Sequence, residues 1–174
     1  MELDNTYNHK NTHMSWTYKT HKIGDITQFP ENTFGFVYIV THKPTGKSYI
    51  GKKVLFHNKK KRLGKKELAA LTGIVGRRPT YKLEVKESDW MNYYGSQKDI
   101  KQLLLEGKKD EFERTILKMC PNKKAMTYFE IKFQMIYQVL EKPDEFFNDN
   151  ILGKFFTKDL QDIDFDKNLV PEVK

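Results

Sequence analysis

Apolar positions along this chain change their spacing several times, and each change predicts a different element. Residues 1–33 are polar and show no sustained period, which reads as an N-terminal extension that partly packs. From Phe34 to Val40 the residues are β-branched or aromatic, as strands prefer. Lys43-Pro44-Thr45-Gly46 then places Pro and Gly where a tight turn wants them, and Lys47 to Gly51 gives a second strand. The two strands form a β-hairpin. Between Lys52 and Glu87 no period holds. Lys65 to Leu71 suits a short helix, while Gly73, Gly76 and Pro79 break their surroundings, so the region reads as a surface excursion. Ile100, Leu103 and Leu104 recur at helical spacing and stop at Gly107. Phe112 to Leu117 predicts a third strand, and a longer helix follows from about Lys123 or Thr127 to Leu140. Asp144 to Phe147 suggests one more helical turn, and the last twenty residues a loosely held tail.

Composition narrows the classes. At 174 residues with twelve Phe and nine Tyr, one domain with a real core is expected. No apolar run approaches membrane-spanning length and the N-terminus is polar, so neither a membrane nor a secreted chain is expected. The single cysteine, Cys120, precludes an internal disulfide and fits a reducing compartment; it also excludes Cys-rich zinc frameworks. A net charge of +8 points to a polyanionic partner. That charge is concentrated in residues 42–66, which hold no acid and include Lys59, Lys60, Lys61 and Arg62; a solvated loop is the plain alternative. From Lys158 onward the chain turns acidic. His9, His13 and His21 sit among Asn and Thr residues that form helix poorly, so a solvated tail explains them better than a metal site.

Four groups of residues carry candidate chemistry. If Lys43 and Gly46 close a four-residue turn, Tyr38 faces Gly51 and Tyr49 faces Val40, which puts both phenols on one face of the hairpin. Two such rings can simply pack, but a bare Gly51 beside Tyr38 leaves room for a ligand or another backbone. Glu130 lies at the margin of a helical apolar stripe formed by Met126, Phe129, Phe133, Ile136, Tyr137 and Leu140. A lone carboxylate there suits Mg²⁺ completed by water and phosphate. Equally, Thr127 to Glu130 has the spacing of a capping box, with Glu130 closed onto the helix start. Asn148 follows a helix end and suits a turn. The run Trp90 to Ser96 is aromatic and ends in small residues, either a core anchor or a helix start capped by Ser96.

Taken together, these residues resemble the GIY-YIG nuclease family, and within it a phage-type, homing-endonuclease-like branch. The family's first motif reads here as Gly35-Phe-Val-Tyr38 and its second as Tyr49-Ile50-Gly51, separated by a turn containing Thr-Gly-Lys. Trp90-x-x-Tyr-Tyr-Gly-Ser96, Phe112-Glu-Arg-x-Ile-Leu117, Glu130 and Phe147-Asn148 follow in the family's order, and Tyr-Ile-Gly-Lys-Lys and Glu-Ser-Asp-Trp resemble the phage-type branch. Two departures stand out. Phe36-Val37 replaces a single Ile, and the distance at which the family places an Arg is occupied by Lys59, with Arg62 three residues on.

The resemblance implies an α/β fold: a small antiparallel sheet, the hairpin plus a third strand, flanked by helices. The nuclease-like domain would span residues 34–152, with a basic insertion at about 53–87 and an acidic tail at 153–174. It also implies an endonuclease hydrolysing DNA phosphodiesters. Glu130 would hold Mg²⁺ (or Mn²⁺), Tyr38 or Tyr49 would position or deprotonate water, and Arg62 or Lys53 would neutralise phosphate. Lys52, Lys59, Lys60, Lys61, Arg77, Arg78, Ser96 and Asn148 would contact DNA, with Arg77 and Arg78 further candidates for the cationic role. An unperturbed phenol is a poor base at neutral pH, so neighbouring lysines are expected to lower it. The partner would be DNA, the oligomeric state monomer or dimer, and the location cytoplasmic, in a bacterial host if phage-encoded. The alternative is a module of the same fold that binds nucleic acid without turnover.

Overall fold

A computed structural model describes residues 15–160 apart from 72, 74 and 75. His9, His13 and the acidic run after residue 160 lie outside the described residues. The hairpin forms as its sequence dictates: β3 is Gly35–His42 and β4 is Ser48–Val54. Tyr38 pairs with Gly51 and Val40 with Tyr49, in the register anticipated from the turn. The loop closes where His42 N–H donates to the Lys47 carbonyl (2.8 Å), and Gly46 takes a φ of +72° that other residues adopt rarely. The buried His42 ring ties that corner to Thr45 (2.8 Å) and Glu111 (2.9 Å). The predicted third strand, β7 (Phe112–Cys120), pairs antiparallel on the other side of β3. Its extra residue, Leu117, makes a bulge beside Tyr38.

The sheet is larger than three strands. The segment read as a polar extension supplies β1 (Trp16–Tyr18) and β2 (His21–Ile23), and the sheet order is β2-β1-β7-β3-β4 with β1 parallel to β7. Three-residue strands show no period, so they were invisible in the pattern. Trp16 is nevertheless fully buried, and its indole N–H donates to the Trp90 carbonyl (3.0 Å).

Both faces of the central sheet are covered, which explains why β3 reads as a continuous apolar run. One face packs Trp16, Phe36, Tyr38, Val40 and Ile116 under Trp90, Tyr94 and Ile100. Those covering residues come from the short 3₁₀ turn Trp90–Asn92, the run after it, and helix α2 (Lys98–Leu105). The opposite face packs Val37, Ile50 and Cys120 against Met126, Val139, Leu140 and Phe146. Met126 belongs to helix α3 (Lys123–Ile136), whose start is capped by Asn122 accepting from Ala125 N–H (2.8 Å).

Helix α3 departs from its sequence reading in two ways. It stops at Ile136, and Ile136 and Tyr137 are exposed instead of joining an inward stripe. The inward edge is centred on Met126, Glu130 and Gln134, one turn apart from each other. Glu130 is therefore in the helix interior, which excludes the capping-box alternative. Likewise α2 is capped by Gln97, accepting from Asp99 and Ile100, and not by Ser96.

Between Leu55 and Ser88 the chain leaves this core. Strand β5 (Phe56–Arg62) pairs antiparallel with β6 (Tyr81–Glu87), with the short helix α1 (Lys65–Ala70) between them. Near the C-terminal end of the described residues, β8 (Asn150–Ile151) and β9 (Phe155–Phe156) form a small hairpin.

Candidate active site at the sheet edge

Strand β4 is an outer strand, and its free edge forms one wall of a cavity of about 790 Å³. Tyr49, Lys52, Ser96, Glu130, Gln134 and Asn148 all line it. Successive residues of β4 point to opposite sheet faces, so Tyr49 comes from one face while Lys52 comes from the other. The cavity wraps around the edge and so collects groups from both layers. The α3 face carries Glu130, whose carboxylate is only 14% exposed and lies 2.7 Å from Lys52 Nζ. Lys52 also donates to Thr127 Oγ1 (3.1 Å).

On the aromatic face three phenols converge. The Tyr38 ring lies 6.3 Å from Tyr49 and 6.0 Å from Tyr93, centroid to centroid. Gly51 makes this possible. A Cβ there would stand 2.6 Å from the Tyr38 hydroxyl and 2.8 Å from the Tyr49 ring. The space left by the glycine is thus filled by the two tyrosines, not kept open for a ligand. Ser96 lies within hydrogen-bond distance of the Tyr49 hydroxyl (3.3 Å).

The expectation that lysines lower these phenols is overturned. Burial pushes Tyr38 well above its ordinary value, and the neighbouring Tyr49, Tyr93 and Glu130 raise it further. Tyr49 is also raised, chiefly by burial, with the Ser96 hydrogen bond opposing. The lysines are engaged elsewhere. Lys53 pairs with Asp89 (2.5 Å) and sits 3.7 Å above the Tyr93 ring; Lys52 is held by Glu130. The ammonium of Lys53 in turn keeps the Asp89 carboxyl below the usual carboxylate range. At 1% exposure Tyr38 offers nothing to solvent, whereas Tyr49 stands at the cavity wall.

Asn148 does more than shape a turn. Its buried amide accepts from Ile50 N–H (2.9 Å) and donates to Ile50 C=O (2.9 Å), extending along β4 the backbone pairing that Glu145 and Phe147 make with Ser48. Gln134 Nε2 donates to the same carbonyl (3.1 Å), leaving Gln134 Oε1 buried without a hydrogen-bond partner. Asn148 therefore positions the edge strand and closes the cavity floor.

The remaining sequence candidates are elsewhere. Arg62 lies at the end of β5 farthest from the core, and Lys59, Lys60 and Lys61 precede it on that strand. Arg77 and Arg78 are exposed in the connection before β6. None of these lines the cavity, so Arg62 is not brought to Glu130. Several residues at the site escaped the sequence reading, among them Asp99 and Asp149, surface-type acids with no distinguishing signal, and two that bear on its geometry. Gln134 had a signal, one helical turn after Glu130; Tyr93 was hidden in an aromatic run that reads as core.

Residues 16–151 match the profile of a family described as "Putative endonuclease segE, GIY-YIG domain", which spans well over half of the chain. No curated protein and no solved structure matches it.

Proposed function

Because the chain belongs to the GIY-YIG family through this SegE-type endonuclease domain, we propose that it is a divalent-metal-dependent endonuclease hydrolysing DNA phosphodiesters at the β4-edge cavity. The observation that carries the reading is a nearly buried carboxylate, Glu130, sharing one cavity with the Tyr49 phenol and the Lys52 ammonium.

The donor set fits a hard cation: Glu130 would hold it, and the carboxylates of Asp99 and Asp149 line the same cavity. Among the described residues no cluster of three His, Cys, Asp or Glu offers an all-protein cage. When bound, Mg²⁺ or Mn²⁺ supplies Lewis-acid polarisation of the scissile phosphate. Glu130 would hold that cation at the cavity wall. Lys52, tethered to Glu130 and Thr127, orients the carboxylate and places a positive charge where phosphate enters. Tyr49 and Ser96 line the cavity as a hydroxyl pair that orients the attacking water, Tyr49 entering as a protonated phenol at neutral pH. Tyr38, behind it, fixes the Tyr49 ring. The cations of the β5–β6 excursion hold the DNA backbone outside the cavity.

The test is cleavage of supercoiled, linear and branched DNA with Mg²⁺, Mn²⁺ or chelator. Metal-dependent cutting supports the reading; binding without cutting under every condition sinks it. One observation favours a non-cleaving binder as second reading: among the described residues no arginine lines the cavity. The same assay separates the two.

A further inference from the structure

The β5–β6 excursion is a ribbon with two unlike faces. Its pairing, from Phe56 opposite Glu87 to Arg62 opposite Tyr81, puts Tyr81, Leu83 and Val85 in one row. Opposite them on the same face stand Arg62, Lys60 and Asn58. The other face carries His57, Lys59, Lys61, Lys82, Glu84 and Lys86. Tyr81, Leu83 and Val85 are 55%, 67% and 65% exposed. Consecutive large apolar side chains at such exposure on an outlying ribbon mark a surface that is covered in use.

Charge decides what covers it. Residues 56–87 carry ten Lys or Arg against three Glu. A second copy of the ribbon would bring that excess against itself, whereas a polyanion neutralises it. Shape decides where. A two-stranded ribbon fits the major groove of B-DNA, about 12 Å wide, and not the minor groove of about 6 Å.

Resting on the DNA reading above, we propose that the Tyr81–Leu83–Val85 face of the ribbon seats in the major groove of duplex DNA. Leu83 and Val85 contact thymine methyl groups there, and Lys60 and Arg62 reach guanine edges. Cations of the opposite face extend to the flanking phosphates. The basic segment is thereby a groove reader as well as a backbone clamp, supplying selectivity at a distance from the cavity.

The experiment uses the full chain carrying Glu130→Gln, with chelator present so that the DNA stays whole, bound to a short duplex with mixed A·T and G·C tracts. Dimethyl sulfate then reports access to guanine N7 on the groove floor. Protection of N7 is expected, with its loss in a Tyr81→Thr/Leu83→Thr/Val85→Thr variant. That variant's half-saturating concentration rises about tenfold or more. Threonine keeps the strand propensity and the positions are exposed, so the thermal midpoint stays with that of the parent. Unchanged N7 protection in the triple variant overturns the inference. So does a parent dimer that the variant converts to monomer with the footprint unaltered, since a second copy is then the occupant. An intact chain that cuts DNA without N7 protection removes the ribbon inference and leaves the nuclease reading. N7 protection without cutting under any metal does the reverse.

Discussion

Glu130 and Gly51 show how much single positions decide. Glu130→Gln keeps the side chain's size and its hydrogen-bonding capacity toward Lys52 while removing the charge a cation needs. Cleavage is expected to fall by about 10³-fold or more with DNA affinity nearly unchanged, as read by plasmid cutting beside fluorescence anisotropy. Unchanged cutting would make the carboxylate a structural partner of Lys52 only. Gly51→Ala tests the crowding around Tyr38, because its Cβ has no place to go. A loss of about 1–3 kcal/mol in stability is expected from thermal unfolding, together with lost cutting as the phenols are displaced. The tyrosines also set an alkaline limit. Their folded values are raised, so the folded state holds protons that the unfolded chain gives up near pH 10. Their contribution is complete below that pH and is lost as pH rises toward the folded values. Thermal midpoints measured from pH 7 to pH 11 should fall at the alkaline end, and Tyr38→Phe should flatten that fall. A decline beginning at neutral pH would contradict the assignment.

At the scale of elements, the outer edge of β4 is paired by backbone, among the described residues, only at Ser48, which bonds Glu145 and Phe147, and is continued at Ile50 by side chains. Asn148→Ala removes both hydrogen bonds that Asn148 makes to Ile50; Gln134 still donates to the carbonyl, but the buried N–H loses its acceptor. About 1–3 kcal/mol of stability should go, visible as an earlier denaturant midpoint. The ribbon behaves in the opposite way. Leu55 and Ser88 already meet through a 2.8 Å backbone hydrogen bond, so residues 56–86 can be replaced by a short turn that keeps Glu87, whose carboxylate accepts from the buried Trp90 indole N–H (2.7 Å). The shortened chain should keep its thermal midpoint while its DNA affinity drops and depends less steeply on salt, the slope easing by about 0.9 for each phosphate the ribbon neutralises. Helix α3 marks the limit of periodicity. Its sequence offers an apolar stripe through Ile136 and Tyr137, yet the helix stops at Ile136 and turns Glu130 and Gln134 toward the sheet. Packing against β4 fixed that rotation, and a helical wheel contains no information about what lies opposite.

At the scale of the whole molecule, a single candidate active site among the described residues predicts nicks before double-strand breaks, since a second cut needs another encounter or a second copy. A plasmid time course should show open circles accumulating ahead of linear DNA. The sheet itself has a hidden edge: trimming the chain at residue 33, where the sequence changes character, would strip away Trp16 and Ile23 with the two outer strands. Such a truncation should be insoluble or unfolded by circular dichroism, given the burial of a whole tryptophan. Local chemistry alone determined the hairpin, its register, the pairing of the two phenols on one face, and the helix and strand that follow, because turn residues and nearest-neighbour periods act within a few residues of each other. Only the tertiary structure decided that residues 16–23 extend the sheet, that Lys53 and Arg62 stand away from Glu130 and Lys52 beside it, and that burial outweighs nearby cations in setting the phenols. Those outcomes depend on groups far apart in the chain meeting across a sheet edge, and distance along a sequence carries no record of which edge is left open.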